Sequence, residues 1–466
     1  MMRSVDYCSV AASFCRWIGV DDERDCFTHA VSVADHEHRD TRAAWSWRKR
    51  MAVMKCIAVA AAALAILMPY GLARAGDSDA AQVARGEYLV RIGDCAGCHT
   101  ARGGEPFAGG RAIPTPFGTI YTSNITPDEA TGIGHWQPED FRAAMRQGIA
   151  PGGRLLYPAF PFTSYTHASD EDVDAIYAYL RTLSAVAQSN RAPELRFPYS
   201  LRPLLMAWRA MYFPESTWQP DATKSDAWNR GAYLVEGLGH CNECHAPRNR
   251  LGAMLRDRAL SGAVIPGQDW YAPNLHPDTG GLQGWSEEDI SQFLQTGRSR
   301  HGSAYGPMAE VVQQSLQYLS DADAQAIAIY LLDAPQNTAE RVAPTELVPP
   351  VTQSRNLVDE GAHLYRQQCA DCHGDDGAGM GLVYPPLAGN SAVLGAEVNV
   401  IRAVLLGGFQ PATAANPRPY SMPPFAPRFD DRETAAVVSY IRQAWGNRAE
   451  AVSPSSVARY RSVPAR

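Results

Sequence analysis

Three five-residue stretches of this chain combine residue types and spacing that attach a porphyrin covalently. They are Cys95-Ala-Gly-Cys98-His99, Cys241-Asn-Glu-Cys244-His245 and Cys369-Ala-Asp-Cys372-His373. In a C-x-x-C-H motif, the two sulfurs form thioether bonds to the haem and the histidine becomes an axial ligand of the iron. Three copies of this motif predict three covalently bound haem c groups, and the chemistry they suit is the transfer of single electrons.

Two other uses of paired cysteines fit the sequence less well. A structural zinc site needs four ligands, so a C-x-x-C pair is joined by further ligands at a distance. Here a histidine follows each pair directly, and no spare pair completes a site. The other four of the ten cysteines are Cys8, Cys15, Cys26 and Cys56. All four precede residue 76, where we predict below that the mature, exported chain begins. The exported chain therefore has no cysteine left for a disulfide.

Methionines stand where two of the three haems need a second axial ligand. A thioether opposite the histidine makes the iron six-coordinate and raises its reduction potential. Met308 follows Gly306-Pro307 in the second repeat, and Met422 precedes Pro423-Pro424 in the third. We predict that Met308 binds the second iron and that Met422 binds the third.

The first repeat departs from this pattern. Its corresponding segment, 156–160 (LYPAF), ends in Phe160 where the thioether is expected, and phenylalanine cannot bind iron. Met145 and His167 are the nearby alternatives, and iron with no sixth ligand is the third. The sequence leaves these three alternatives open.

The elements around each motif repeat as well. A short helical pattern with an internal glycine precedes each motif, and a helical pattern with aromatic residues closes each repeat. The glycines are Gly86, Gly231 and Gly361, and the aromatic residues include Tyr179, Tyr330 and Tyr440. A glycine inside a helix costs about 1 kcal/mol relative to alanine, so each predicts a close helix crossing. The last helices follow cap residues at Ser169, Ser320 and Asp430.

These patterns predict an all-α fold of three tandem c-type cytochrome domains, each a few helices around one covalent haem. The predicted boundaries are 76–186, 226–333 and 356–448 for the domains, 187–225 and 334–355 for the linkers, and 449–466 for a C-terminal tail. The first linker contains an apolar segment, 201–213, that suits a partner subunit, a membrane surface or packing between domains. The first two repeats also share Asn124 and Asn274, for which we favour a turn-closing role over contact with a haem propionate.

The N-terminal region has the layout of a secretion signal. A basic stretch at 48–55 precedes an apolar run at 57–68 (IAVAAAALAILM) and the sequence Ala73-Arg74-Ala75. This order predicts a signal peptide over 51–75, with an uncleaved anchor as the alternative. Residues 1–50 do not fit such a signal, and we interpret them as an N-terminal extension from a mis-assigned start. The mature protein is then exported to the periplasmic side of a bacterial cytoplasmic membrane.

The charge of the chain limits its partners. The formal net charge is −7, and this acidic balance argues against nucleic acid as a partner.

The mature sequence resembles the tri-haem cytochrome c subunits of membrane-bound periplasmic dehydrogenases. The stretches that carry the resemblance are 123–136 (SNITPDEATGIGHW), 156–165 (LYPAFPFTSY), 229–252 (NRGAYLVEGLGHCNECHAPRNRLG) and 421–447 (SMPPFAPRFDDRETAAVVSYIRQAWGN). The resemblance implies a catalytic partner subunit that is a quinoprotein, a flavoprotein or a molybdenum enzyme. It also implies that electrons pass from that subunit to ubiquinone or to a terminal oxidase or cytochrome at the membrane surface. Phe160 departs from the methionine usual in alcohol dehydrogenase members.

Two other functions remain as alternatives. A five-coordinate first haem suits a peroxidase or reductase, although no acid and base pair is evident near the first repeat. A free periplasmic electron shuttle is the second alternative, and the apolar segment 201–213 argues against it. On the favoured hypothesis, the chain transfers electrons within a dehydrogenase complex and does not act on the substrate itself.

Overall fold

The computed structural model describes residues 79–278, 281–334 and 352–462. The predicted extension 1–50, the signal peptide 51–75 and most of the second linker lie outside the described residues. Within the part that is described, no helix combines the length and the apolar character needed to cross a membrane. Helices form most of the regular structure, joined by short antiparallel hairpins.

The first repeat and the linker after it contain the following elements. They are α1 (79–92), α2 (Cys95–His99), β1 (Ala112–Thr115), β2 (Gly118–Tyr121), α3 (Pro138–Arg142), a π-helical turn (Ala143–Gln147), β3 (Ile149–Ala150), β4 (Arg154–Leu155), α4 (Phe162–Tyr165), α5 (Asp170–Leu180), β5 (Glu194–Leu195) and α6 (Pro203–Tyr212). Strands β1, β2 and β5 form one antiparallel sheet, so the predicted linker adds a strand to the first repeat.

The second repeat follows the same order. It contains α7 (Asp226–Tyr233), a π-helical turn (Leu234–Leu238), α8 (Asn242–His245), β6 (Ala263–Ile265), β7 (Trp270–Ala272), α9 (Glu287–Thr296), β8 (Arg298–Ser299), β9 (Gly302–Ser303), α10 (Pro307–Gln314) and α11 (Asp321–Leu332). The two hairpins pair β6 with β7 and β8 with β9.

The third repeat is the most helical of the three. It contains α12 (Thr352–Gln368), α13 (Ala370–His373), α14 (Ser391–Leu394), α15 (Val398–Leu406), β10 (Gly408–Phe409), β11 (Ser421–Met422), α16 (Asp431–Gln443) and α17 (Pro454–Arg461). Helix α17 belongs to the predicted tail. Its Val457 is fully buried, and the Arg461 Nε donates to Asp431 at 2.6 Å, so this segment is folded onto the repeat.

The predicted helix crossing recurs in all three repeats. A Cβ placed on Gly86 would lie 2.9 Å from the Cβ of Tyr179, and one on Gly231 would lie 2.8 Å from that of Tyr330. The same distance from Gly361 to Tyr440 is 2.9 Å. Real Cβ atoms do not approach this closely, so only glycine permits the first and last helices to cross at these points. The prediction from the sequence is confirmed.

The predicted caps of the last helices are also present. The Ser169 and Ser320 hydroxyls accept from the backbone N–H of Asp172 and Asp323, at 3.2 and 3.1 Å. Asp430 accepts from the N–H of Glu433 at 2.8 Å. Each cap satisfies a free N–H in the first turn and fixes where the helix starts.

The first two repeats share one hydrophobic core, whereas the third has its own. The shared core contains Leu89 and Val173 from the first repeat and Leu234 and Ile327 from the second. The core of the third repeat includes Val457 from α17. Packing therefore joins the first two repeats more closely than the sequence repeats alone predict.

Candidate haem sites

Each C-x-x-C-H motif forms a short helical turn. Helix α2 spans the first motif, while α8 and α13 each begin directly after the first cysteine of their motif. Residues three apart in a helix lie on the same face, so the two cysteines of a motif are neighbours. The histidine follows at the end of the same turn. This is the local geometry that two thioether bonds and one axial ligand require.

The three motif histidines make the same hydrogen bond. The Nδ1 of His99 donates to the Ser123 carbonyl at 2.7 Å. His245 donates to Pro273 at 2.6 Å and His373 to Pro385 at 3.0 Å. A carbonyl can only accept, so the proton is on Nδ1 and the lone pair is on Nε2. Each ring thus offers Nε2 to a metal, with its orientation held by the backbone.

Burial favours the neutral forms of these residues. It lowers the pKa of His99, His245 and His373, and the carbonyl hydrogen bonds oppose this only in part. Neutral imidazole is the form that binds iron. Burial also raises the pKa of the Cys95 and Cys241 thiols to about 12. These sulfurs lie in apolar surroundings suited to thioethers, so the residues fit a covalent haem.

A zinc site finds no support in the described residues. No group of three or more histidine, cysteine, aspartate or glutamate side chains is arranged there to hold a metal ion.

The two predicted sixth ligands lie in different kinds of element. Met308 is the second residue of α10, directly after Gly306 and Pro307. Met422 lies in β11, opposite Gly408 of β10, and contacts the third core, as does Cys369. Both methionines therefore belong to their repeats as expected, and their binding of iron stays a prediction.

The candidate sixth ligands of the first haem have different surroundings in the structure. Phe160 packs against the shared core with its ring 5.4 Å from that of Tyr165. Met145 is a core residue, 6% exposed. His167 packs edge-on against Trp218 at 6.3 Å, and its Cβ faces Gly237 of the second repeat. His167 thus contributes to the contact between repeats, and the sixth ligand of the first haem stays open.

Asn124 closes a turn, as the sequence favoured. Its Oδ1 accepts from the Thr126 N–H at 2.9 Å, and its Nδ2 donates to the Val186 carbonyl at 2.7 Å. In the second repeat, Asn274 accepts from the His276 N–H at 2.7 Å. Both asparagines hold the loop that supplies the carbonyl for the motif histidine.

Sequence reasoning missed a charged group beside the first haem motif. Arg111 donates to the Gly97 carbonyl inside that motif and pairs with Glu310 of α10, with Nη2 and Oε2 2.9 Å apart. Asp94, directly ahead of the motif, has its Oδ1 enclosed without a partner in the described part of the chain. Burial and Glu310 raise the pKa of Asp94 to about 7, against the opposing effect of Arg111.

Two matching hydrogen-bond groups join the first and second repeats. The Tyr88 hydroxyl donates to Asp323 at 2.6 Å, and the Tyr233 hydroxyl donates to Asp172 at 2.7 Å. Arg230 and Arg85 pair with the same two carboxylates within their own repeats. In the sequence, these two groups correspond to the shared order Arg-Gly-x-Tyr at 85–88 and 230–233. The glycine in this order predicts helix packing, but the order alone does not predict hydrogen bonds between the repeats.

Comparisons with known proteins agree with this geometry. A model of the cytochrome c family matches residues 83–184 and 358–445. This match means that the chain contains c-type cytochrome domains, and such domains imply covalent haem c.

Curated relatives extend the match over most of the chain. The gluconate 2-dehydrogenase cytochrome c subunit of Pantoea cypripedii is 43% identical over 384 residues, which cover 80% of this chain and 87% of that protein. The cytochrome c subunit of the quinone alcohol dehydrogenase of Gluconobacter oxydans is 40% identical over 422 residues, 87% of each chain. A subunit of the nicotinate dehydrogenase of Pseudomonas putida is 42% identical over 375 residues, covering 79% of this chain and 30% of that protein. This chain belongs to the family of dehydrogenase cytochrome c subunits.

Proposed function

We propose that this chain is a tri-haem cytochrome c that accepts electrons from the catalytic subunit of a dehydrogenase. It passes them to ubiquinone or to a terminal acceptor of the respiratory chain. The observation that carries the proposal is the threefold recurrence of one arrangement. In each case a cysteine pair shares a helical turn with a histidine whose Nδ1 is held by a backbone carbonyl.

Each haem has its own tandem domain, within the limits 76–186, 226–333 and 356–448. The support for the three-domain organisation is the helix crossing at Gly86, Gly231 and Gly361, which repeats with nearly the same spacing. One crossing per repeat suits one porphyrin per repeat.

The protein residues have distinct tasks. Haem c, when bound, supplies an iron that gains and loses one electron at a time. The cysteine pairs fix the position of each porphyrin, and His99, His245 and His373 offer Nε2 to the iron. Met308 and Met422 complete two of the sites, which closes them to substrates and leaves electron transfer as their chemistry.

The electron donor is a dehydrogenase subunit that is a quinoprotein, a flavoprotein or a molybdenum enzyme. The names of the relatives support a dehydrogenase as the donor, because they include subunits of a gluconate 2-dehydrogenase, a quinone alcohol dehydrogenase and a nicotinate dehydrogenase. Donors with a CH–OH group are the substrates we expect for the complex. The present chain has no part in their oxidation beyond removing electrons.

The chain works at the periplasmic side of the cytoplasmic membrane. An exposed apolar surface around α6 supports contact with a partner subunit or the membrane surface. It comprises Leu204, Met206 and Met211, which are 47%, 66% and 59% exposed, and Phe197, which is 81% exposed. Several exposed apolar side chains within one short segment are typical of interaction sites.

The test is mass spectrometry of the proteins that purify with the tagged chain from detergent-solubilised membranes. We expect one large dehydrogenase subunit in equal amount, together with reduction of the haems when its substrate is added. An untagged strain is the control. A chain recovered alone and in the soluble fraction would contradict the proposal and favour a free shuttle.

Phe160 supports a second candidate, a peroxidase or reductase that uses an open first haem. That function predicts that cyanide binds one of the three haems of the wild-type protein and that peroxide oxidises it rapidly. In the Phe160→Met variant a thioether would compete for the iron, and cyanide binding would be lost. A wild-type protein that binds no cyanide at any haem would exclude this candidate.

A further inference from the structure

The Tyr305 hydroxyl has no hydrogen-bond partner although it is enclosed. Its oxygen is buried, and within the described residues nothing accepts its proton. Burial raises the pKa of Tyr305 well above its usual value, so the group stays a protonated donor. A buried hydroxyl without an acceptor is destabilising, so its acceptor should lie close by. Tyr305 stands three residues ahead of Met308, in the segment that leads into α10.

The hydroxyl lies against β10 of the third repeat, the strand that pairs with the Met422 strand β11. Gly408 has φ of 154°, and a Cβ placed on it would lie 2.7 Å from the Cζ of Tyr305 and closer still to the hydroxyl. The tyrosine therefore occupies the space of the missing Gly408 side chain. Gly408 is directly opposite Met422 in the antiparallel pair of β10 and β11. Opposite residues project their side chains to the same face, with Cβ atoms about 4.5–5.5 Å apart.

Other contacts fix Tyr305 in this position. The Tyr305 ring packs edge-on against the Trp270 ring, with the ring centroids 5.8 Å apart. The guanidinium of Arg402, from the third repeat, lies over the same Trp270 ring, 4.9 Å from its centroid. Close by, the Gln410 amide donates to the Ser303 hydroxyl at 3.0 Å. Residues of the second and third repeats thus fix the position of Tyr305 relative to β10.

We infer that Tyr305 of the second repeat donates a hydrogen bond to the Met422 thioether once that thioether binds the third iron and turns towards the hydroxyl. The inference rests on the proposed function, in which Met422 binds that iron. A thioether sulfur is a weak acceptor, and the hydrogen bond withdraws electron density from it. The sulfur then stabilises the oxidised iron less, so the reduction potential of the third haem rises. Tyr305 is a positioning residue that links the ligand segments of the second and third haems.

The experiment uses the full-length protein with all haems attached and the Tyr305→Phe variant, which removes only the hydroxyl. Proton NMR of the reduced protein reports the methyl groups of iron-bound methionines, and a redox titration reports the potentials. Met422→His and Met308→His variants assign the methyl signals to the third and second haems. The matched control is Tyr157→Phe, because Tyr157 precedes Phe160 as Tyr305 precedes Met308 and donates to the Tyr199 carbonyl at 3.3 Å.

We expect Tyr305→Phe to shift the Met422 methyl signal and to lower the potential of the third haem. The Met308 signal and the control variant should match the wild type. Unchanged third-haem signals in Tyr305→Phe, or a change confined to the second haem, would overturn the inference and leave the proposed function intact. If Met422→His alters no methyl signal, then Met422 is not a ligand, which overturns both the inference and the proposed ligand set.

Discussion

The motif histidines show at the scale of single residues what the sequence can and cannot predict. The cysteine and histidine positions follow from the motif alone, since the thioether and axial bonds demand those residue types at that spacing. The carbonyl acceptors of Ser123, Pro273 and Pro385 do not follow from it. Every residue has a backbone carbonyl, so its position beside a histidine depends on how the loop folds and leaves no signal in the sequence.

Asp94 gives a prediction about pH. Its pKa of about 7 in the folded protein lies above the usual aspartate value of 3.8. Folding therefore takes up a proton between these values, and this contribution to stability is present at low pH and lost as the pH rises through about 7. We expect Asp94→Asn to gain stability relative to wild type from about pH 4 to about pH 7, by up to about 1.4 kcal/mol per pH unit, and to keep a constant difference above pH 7.

The measurement is denaturant unfolding of the haem-containing protein across that pH range. Asp128→Asn is the control, because hydrogen bonds from Thr131 lower the pKa of Asp128 and place its titration below the range. A difference between Asp94→Asn and wild type that is the same at every pH would contradict the assigned pKa.

At the scale of elements, the glycine pattern predicted the helix crossings, and the cap residues predicted where the last helices begin. The short hairpins were not predicted, and the sequence analysis expected an all-α fold. Strands such as β3 and β8 have two residues each, too few to show the alternation that identifies a strand. Helix α17 lies in the segment that the sequence predicts to be a C-terminal tail, and Val457 and Arg461 hold it on the third repeat.

The crossing in the second repeat can be tested by Gly231→Ala. Helix propensity alone predicts a gain of about 1 kcal/mol from this change. We expect a loss of about 1–3 kcal/mol or more instead, because the new methyl group would overlap the backbone at Ala326 and the Tyr330 side chain.

Thermal unfolding of the two proteins checks the sign of this effect. Gly237→Ala is the matched control, since a Cβ there meets only the His167 Cβ, at 3.4 Å. It should be neutral or slightly stabilising. A stabilised Gly231→Ala protein would show that the two helices are farther apart than described.

At the scale of the whole molecule, the first and second repeats behave as a pair. They share a core, and Tyr88 and Tyr233 each donate to a carboxylate of the other repeat. The sequence showed the duplication but not this exchange, because contacts across repeats depend on how two similar surfaces meet. The third repeat joins the second through Trp270, Tyr305 and their neighbours.

This pairing predicts that Tyr88→Phe and Tyr233→Phe lower the midpoint temperature of the same unfolding transition. Each change removes a hydrogen bond to a largely buried carboxylate, which is worth about 1.5–3 kcal/mol. Calorimetry of the haem-containing variants is the measurement, with Tyr318→Phe, at an exposed ring, as the control. If each variant lowered the midpoint temperature of a different transition, the two repeats would unfold independently. The shared core would then not act as one unit.

The proposed function depends on three haems bound covalently to one chain. The most direct test is the intact mass of the purified protein after denaturation, followed by mass spectrometry of its proteolytic peptides. We expect the mass of the chain plus three haems, with one haem on each of the peptides that contain Cys95, Cys241 and Cys369. A mass with two haems or fewer, or a motif peptide recovered with free thiols from fully matured protein, would contradict it.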